Sequence, residues 1–159
     1  MAETLEITKE AAIKAHDEAS TKGKTLLENL FGKRVFQKDI KQRVTCLDDA
    51  LRELGKDKLD FEASCVGLSE DEVAYKMLKV IAEALNEGWT PDWSNGQWDK
   101  WYPWFKMDVS SSAGRFSFVD AGHQRSGSVV GSRLCFKSRE LSNYAGKQFE
   151  DVYRKVFIY

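Results

Sequence analysis

The chain has 159 residues, of which 42% are hydrophobic and 31% are charged, and its formal net charge is −1 at pH 7. This length and composition are typical of one globular domain with a single core, and they exclude a largely disordered protein. Residues 1–97 carry a net charge of −5 and residues 98–159 a net charge of +4, a basic excess too small for a dedicated duplex-binding domain.

The first residues carry three acids, and the sequence contains no apolar run long enough for a signal peptide or a membrane span. Three widely spaced cysteines favour a reducing compartment over a disulfide framework. The two histidines lack zinc-like spacing. We therefore expect no membrane partner, no metal and no cofactor.

The N-terminal third is predicted to be helical. Thr8 is expected to cap a helix that runs to about Thr21 and is ended by Gly23. A second helix is expected over residues 25–31, and Gly32 should end it because glycine adopts the left-handed conformation common after helices.

Two further helices are predicted before the tryptophan-rich region. Thr45 is expected to cap the first, with Asp48 in the capping-box position. The second begins at Ser69, where Glu72 completes a capping box, and ends at Gly88. Its inward-facing positions are predicted to be Val73, Met77, Val80, Ile81, Ala84 and Leu85.

Beyond residue 89 the pattern changes to strands and turns, which predict a small antiparallel sheet. Strands are expected over residues 101–109, 114–121 and 128–136, and the last two should be joined by a polar hairpin loop. A C-terminal helix should follow from Ser138 to about Ile158. The prediction is an α+β fold with N-terminal helices, about three strands and a C-terminal helix. We expect a single domain over 1–159, with a helical part over 1–68 and a helix–sheet–helix core over 69–159.

All five tryptophans lie within residues 89–104. Trp89, Trp101 and Trp104 are expected to be mostly buried, because a small sheet needs large side chains to fill its core. Trp93 and Trp98 lie among turn-forming residues. Since loops run over the surface, these two are predicted to face a ligand or a partner.

Basic residues near Ser138 predict an anion site. Lys137 and Arg139 flank this expected N-cap, where the helix dipole disfavours cations. A phosphate bound by them, by Arg133 and by the first-turn N–H groups would resolve the conflict. The alternative is that the cations extend into solvent. The complete set of predicted ligand-binding residues is Trp93, Trp98, Arg115, Arg125, Arg133, Lys137, Ser138 and Arg139.

Four strings of the chain are distinctive: RVTCLDDALRELG (43–55), AEALNEGWTPDW (82–93), KWYPWF (100–105) and GSRLCFKSRELSNYAGKQF (131–149). Together they resemble a recurrent family of small proteins encoded by phages and integrated elements of gut bacteria. The resemblance implies a phage or mobile-element product that works in the bacterial cytoplasm or is packaged in a virion. It transfers no catalytic residue.

Two classes of function follow from these observations. The first is a non-enzymatic protein that binds a nucleotide or single-stranded nucleic acid by stacking and by salt-dependent contacts. The second is a protein–protein module, either a virion component or an accessory factor docking on a phage or host protein, with homo-oligomerisation left open. A small hydrolase using Asp120, His123, Arg125 and Ser126 is the weakest alternative, because the loop lacks a nucleophile elbow and paired carboxylates.

Overall fold

A computed structural model of the protein describes residues 7–108 and 115–158, apart from the side chains of Asp108 and Arg115. It confirms the α+β fold, with helices at both ends and a two-stranded antiparallel sheet between them. The chain divides into two compact units, residues 1–43 and 44–159. The single-domain expectation stays a prediction. Among the described residues, none of the helices has the length and apolar character needed to span a bilayer.

In the first unit, helix α1 (Lys9–Glu18) precedes helix α2 (Thr21–Phe31). The Thr8 hydroxyl accepts from the Ala11 N–H at 3.2 Å, which confirms the predicted N-cap. The prediction that Gly23 ends a helix is wrong. Gly23 lies in the first turn of α2, where its N–H donates to the Ser20 hydroxyl. The N-cap at Ser20 therefore starts a new helix before Gly23.

The rest of the first unit consists of a 3₁₀ helix (Lys33–Phe36) and the short helix α3 (Ile40–Arg43). His16 links the helices of this unit. Its imidazole stacks on Phe36 with ring centroids 4.1 Å apart, and its Nε2 lies 3.2 Å from Glu28 Oε1. One side chain therefore connects α1, α2 and the 3₁₀ helix.

The second unit begins with helices α4 (Leu47–Glu53) and α5 (Lys58–Ala63), of which α5 was not predicted. The cap of α4 differs from the expectation. Asp49, not Asp48, reaches back, and its Oδ2 accepts from the Thr45 N–H at 3.1 Å and hydroxyl at 2.7 Å. The capping pattern is displaced by one residue because helix α4 begins at Leu47.

Helix α6 (Glu70–Asn86) is the longest in the described parts of the chain, and Ser69 and Glu72 form its predicted capping box. The helix ends as expected before Gly88, which has a positive φ of 80°. Its buried face is rotated at the N-terminal end, where Ala74 and Leu78 are buried in place of the predicted Val73 and Met77. The predicted Val80, Ile81, Ala84 and Leu85 are buried.

Strand β1 (Lys100–Asp108) pairs antiparallel with β2 (Arg115–Gln124), with a register shift between Trp104 and Phe105. The third predicted strand is not formed. Instead, a single bridge joins Trp101 to Phe136, with N···O distances of 3.0 and 2.7 Å. The expected hairpin loop after residue 121 is also wrong, because β2 continues to Gln124.

The segment before Phe136 satisfies its backbone groups without a strand partner, which explains the missing strand. The Ser128 hydroxyl accepts from the Gly131 N–H at 2.6 Å. The Asn86 side chain donates to the Cys135 carbonyl at 2.8 Å and accepts from the Lys137 N–H at 3.0 Å. These bonds fix residues 128–137 as a loop on the end of α6.

The predicted C-terminal helix is two helices, α7 (Arg139–Gln148) and α8 (Glu150–Phe157), with Phe149 in a non-helical conformation between them. Helix α7 lies against the sheet at Gly146. A Cβ on Gly146 would fall 2.8 Å from the Pro103 Cβ and would also meet the Phe118 ring, so the close approach requires glycine. Helix α8 packs against α6 and buries Tyr153.

Candidate ligand-binding cleft

The tryptophan-rich turn is built around Lys100, which is 0% exposed at the start of β1. Its ammonium group donates to the carbonyls of Asn95 at 3.1 Å and Trp98 at 2.8 Å. It also lies 5.3 Å from the ring centre of Trp93 and 5.9 Å from that of Trp98, within cation–π range. Two of the three ammonium hydrogens thus bind turn carbonyls, and the charge lies near two indoles.

The two tryptophans predicted to face a ligand both contact other residues of the protein. The Trp93 indole N–H donates to the Ser132 hydroxyl at 2.6 Å. Trp98 packs edge-on against Trp89 at 5.6 Å and is 39% exposed. The turn therefore has an organised interior, and part of the Trp98 surface remains accessible.

Trp104 differs from its prediction, since it is 56% exposed instead of mostly buried. It lies opposite Asp120 in the register, while the adjacent inward position Pro103 packs towards Gly146. Strand residues alternate between faces, so Trp104 shares the outer face of the sheet with Tyr102, whose ring lies 6.3 Å away. Trp89 and Trp101 are half-buried.

Three of the predicted cations form ion pairs with carboxylates. Arg125 binds Asp99 at 2.9 Å, Lys137 binds Glu87 at 2.9 Å, and Arg139 binds Asp120 at 2.6 Å. The Arg125 hydrogen bond holds the pKa of Asp99 below its usual value. The pKa of Asp120 is also lowered, by the Ala121 N–H and then by Arg139.

Ser138 is the N-cap of α7, as predicted, and its hydroxyl accepts from the Leu141 N–H at 3.2 Å. The neighbouring cations Lys137 and Arg139 contact the carboxylates of Glu87 and Asp120. Carboxylates of neighbouring elements therefore balance the two charges that the helix dipole disfavours. A bound anion at this helix end stays a prediction.

Arg115 begins β2 opposite Asp108, and its side chain lies outside the described part of the structure. Arg133 is exposed and, in contrast to the three paired cations, forms no ion pair with any described residue. It lines a cleft of about 930 Å³ between α5 and α6, which we call the α5–α6 cleft. Among the predicted cations whose side chains the structure describes, Arg133 is therefore the one without an ion-pair partner.

The α5–α6 cleft has apolar walls formed by α4, α5, α6 and the beginning of the tryptophan-rich segment. The apolar lining residues are Leu51, Phe61, Val80, Trp89 and Pro91. The Trp89 indole N–H has no acceptor among the described residues. An unpaired buried donor costs about 1–3 kcal/mol, so this N–H favours an added acceptor.

Two polar bridges connect the helices that form the cleft. Lys56 binds Glu83 at 2.6 Å, and Lys76 donates to the carbonyl and hydroxyl of Ser64 at 2.6 and 2.7 Å. The two α6 residues of these bridges, Lys76 and Glu83, are seven residues apart, which is about two helical turns. The bridges define the position of α5 relative to α6 while leaving the space between them open.

The loop that carries Arg133 is held on both sides. Before Arg133, Ser132 accepts the Trp93 indole N–H, and after it Cys135 accepts from Asn86. Arg133 is consequently presented from an anchored loop. Trp93 thus positions a cation, a role that its sequence context did not reveal.

Three residues of the weakest alternative have structural partners of their own. Asp120 binds Arg139, Arg125 binds Asp99, and the exposed His123 ring lies 5.1 Å from Trp101. In the described ranges, no group of three or more His, Cys, Asp or Glu side chains has metal-binding geometry. Burial raises the pKa of the Cys135 thiol to about 11, which disfavours the reactive thiolate.

Sequence reasoning missed the two features that organise this region, the buried Lys100 and helix α5. Lysine is rarely fully buried, so the pattern gave no reason to place Lys100 inside. The signal for α5 was Asp57, which accepts from the Leu59 and Asp60 N–H groups as an N-cap. Comparisons with protein-family models, curated proteins and solved structures found no match to this chain.

Proposed function

We propose that the protein is a non-enzymatic binding protein that takes a nucleotide, free or at the end of a single strand, into the α5–α6 cleft. The observation that carries the proposal is that Arg133 and Trp89 both line this cleft. Arg133 has no ion-pair partner among the described residues. An arginine and an indole together provide the two contacts that a nucleotide needs, one for phosphate and one for the base.

The size and lining of the cleft support a small ligand. Its volume of about 930 Å³ lies within the range of small-molecule sites, which are mostly apolar with a few polar groups. Leu51, Phe61 and Val80 extend the apolar wall beyond Trp89. A planar base would contact this wall, and the Arg133 guanidinium would bind the phosphate with charge-assisted hydrogen bonds.

The proposal reassigns the predicted ligand-binding residues. Trp93 would act through Ser132 by positioning the Arg133 loop, and Lys100 would hold Trp93 in place. Arg125, Lys137 and Arg139 would have structural roles, because each contacts a carboxylate. As part of the same proposal, we infer from the resemblance described above that the protein is a phage or mobile-element product.

Calorimetric titration of the full chain with nucleoside monophosphates, cyclic nucleotides and short single-stranded oligonucleotides would test the proposal. The Arg133→Gln variant should bind at least about tenfold more weakly, since a charge-assisted hydrogen bond contributes about 1.5–3 kcal/mol. Arg139→Gln is the matched control, because that side chain pairs with Asp120 and does not line the cleft. Absence of binding to every ligand, or equal losses in both variants, would refute the proposal.

The second candidate function is a protein–protein module, and it is favoured by the outer face of the sheet. Trp104 is 56% exposed and Val119 57%, and Tyr102 lies beside Trp104. Exposed tryptophan and tyrosine are enriched at the centres of protein interfaces. If this face binds protein, Trp104→Ser should abolish association seen by analytical ultracentrifugation or pull-down with phage or host proteins, while leaving nucleotide binding intact.

A further inference from the structure

Apart from the Lys56–Glu83 ion pair, the charged groups that line the α5–α6 cleft differ in sign between its parts. Asp60 of α5 and its N-cap Asp57 are acidic, whereas Lys76 and Lys79 of α6 and Arg133 of the following loop region are basic. Asp60 has no ion-pair partner among the described residues, and one oxygen of Asp57 caps α5. The walls therefore present unpaired charges of opposite sign.

Internal contacts reduce the positive charge that a ligand would meet. Lys56 is paired with Glu83, Lys76 is hydrogen-bonded to Ser64, and Lys79 lies 5.0 Å above the Tyr75 ring. Among the four cations that line the cleft, Arg133 is the one whose charged group contacts no described side chain. A single phosphate matches this arrangement better than a chain of phosphates.

We infer that the α5–α6 cleft selects nucleoside monophosphates over triphosphates, with the phosphate at Arg133 and the hydrogen-bond donors of the sugar or base at Asp60. The inference rests on the proposed function. Carboxylates accept hydrogen bonds from hydroxyl and amino groups, and they repel additional phosphates. Asp60 is therefore a specificity-determining residue, and its negative charge disfavours the longer phosphate chain.

The test is calorimetric titration of the full chain with adenosine, guanosine, cytidine and uridine mono-, di- and triphosphates, at constant ionic strength and without divalent cations. The best-binding base should show affinity that falls about tenfold from mono- to triphosphate, roughly threefold for each added charge near an exposed carboxylate. Asp60→Asn should raise triphosphate affinity about threefold or more and weaken monophosphate binding. Glu62→Gln is the control, because this α5 residue is exposed and does not line the cleft.

The outcomes separate the inference from the proposed function. If no nucleotide binds to the wild type, both fail. If nucleotides bind with Arg133-dependent affinity but triphosphates bind as tightly as monophosphates, the proposed function survives and the inference fails. Equal triphosphate affinities of the Asp60→Asn variant and the wild type would also overturn the role of Asp60. Circular dichroism of each variant confirms that the compared proteins are folded.

Discussion

Replacement of Lys100 by methionine should destabilise the second unit strongly, because the lysine is buried and its ammonium organises the tryptophan-rich turn. The substitution keeps a side chain of similar length and removes the charge. It leaves the carbonyls of Asn95 and Trp98 without their donor. The cation–π contacts with Trp93 and Trp98 are lost as well.

The expected magnitude follows from these contacts. Two charge-assisted hydrogen bonds contribute about 1.5–3 kcal/mol each, and a cation–π contact about 0.5–2 kcal/mol. Asn95 and Trp98 lie at the surface, so water can partly replace the lost donor. Removal of the cost of burying a charge also offsets the loss. We expect a net decrease of about 2–4 kcal/mol in the free energy of unfolding, a large part of the stability of a small domain.

The assay is urea unfolding followed by far-ultraviolet circular dichroism and by tryptophan fluorescence. Lys106→Met is the control, because this lysine lies on the same strand and is exposed, and its loss should cost less than about 1 kcal/mol. A Lys100→Met protein as stable as the wild type, with unchanged tryptophan emission, would refute the reasoning. That result would mean that the charge does not stabilise the turn.

Three further predictions concern packing, thiol reactivity and ionisation. Gly146→Ala should reduce stability by about 1–3 kcal/mol in thermal unfolding, because the new methyl group meets the Phe118 ring, whereas Gly127→Ala should have little effect since that site is open. Cys135 should react with a thiol reagent only after unfolding, whereas the exposed Cys46 should react in the native protein. Because burial raises the pKa of Cys135 to about 11, its contribution to stability should fall as pH rises from about 9 to 11. Equal native reactivity of the two thiols, or a Gly146→Ala protein of wild-type stability, would contradict these expectations.

Local signals predicted the helix boundaries that depend on nearby residues. Ser69, Glu72 and Gly88 define α6 because a capping box and a left-handed glycine act within a few residues of the helix end. Ser138 caps α7 for the same reason. The prediction was wrong where two local signals competed. Gly23 was expected to end α1, but Ser20 begins the next helix as its N-cap and accepts from the Gly23 N–H.

Long-range contacts decided the sheet. Residues 128–136 have the alternation of a strand, yet Asn86 binds the Cys135 carbonyl and the Lys137 N–H from 49 and 51 residues away. Periodicity reports which face of a segment is apolar, but not which partner satisfies its backbone. The exposure of Trp104 has a similar origin. Helices α7 and α8 contact Pro103, Phe118 and Phe105, and strand alternation places Trp104 on the opposite face.

The sequence by itself determined the α+β class and the main helix ends. It also determined the concentration of tryptophans and cations in residues 89–139, from which a binding region is predicted. Tertiary structure alone decided which of the described cations form ion pairs. Arg125, Lys137 and Arg139 meet carboxylates that lie 26, 50 and 19 residues away, whereas Arg133 meets none among the described residues. The physical reason is that a charge is neutralised by its neighbours in space, and those neighbours are set by the packing of distant segments.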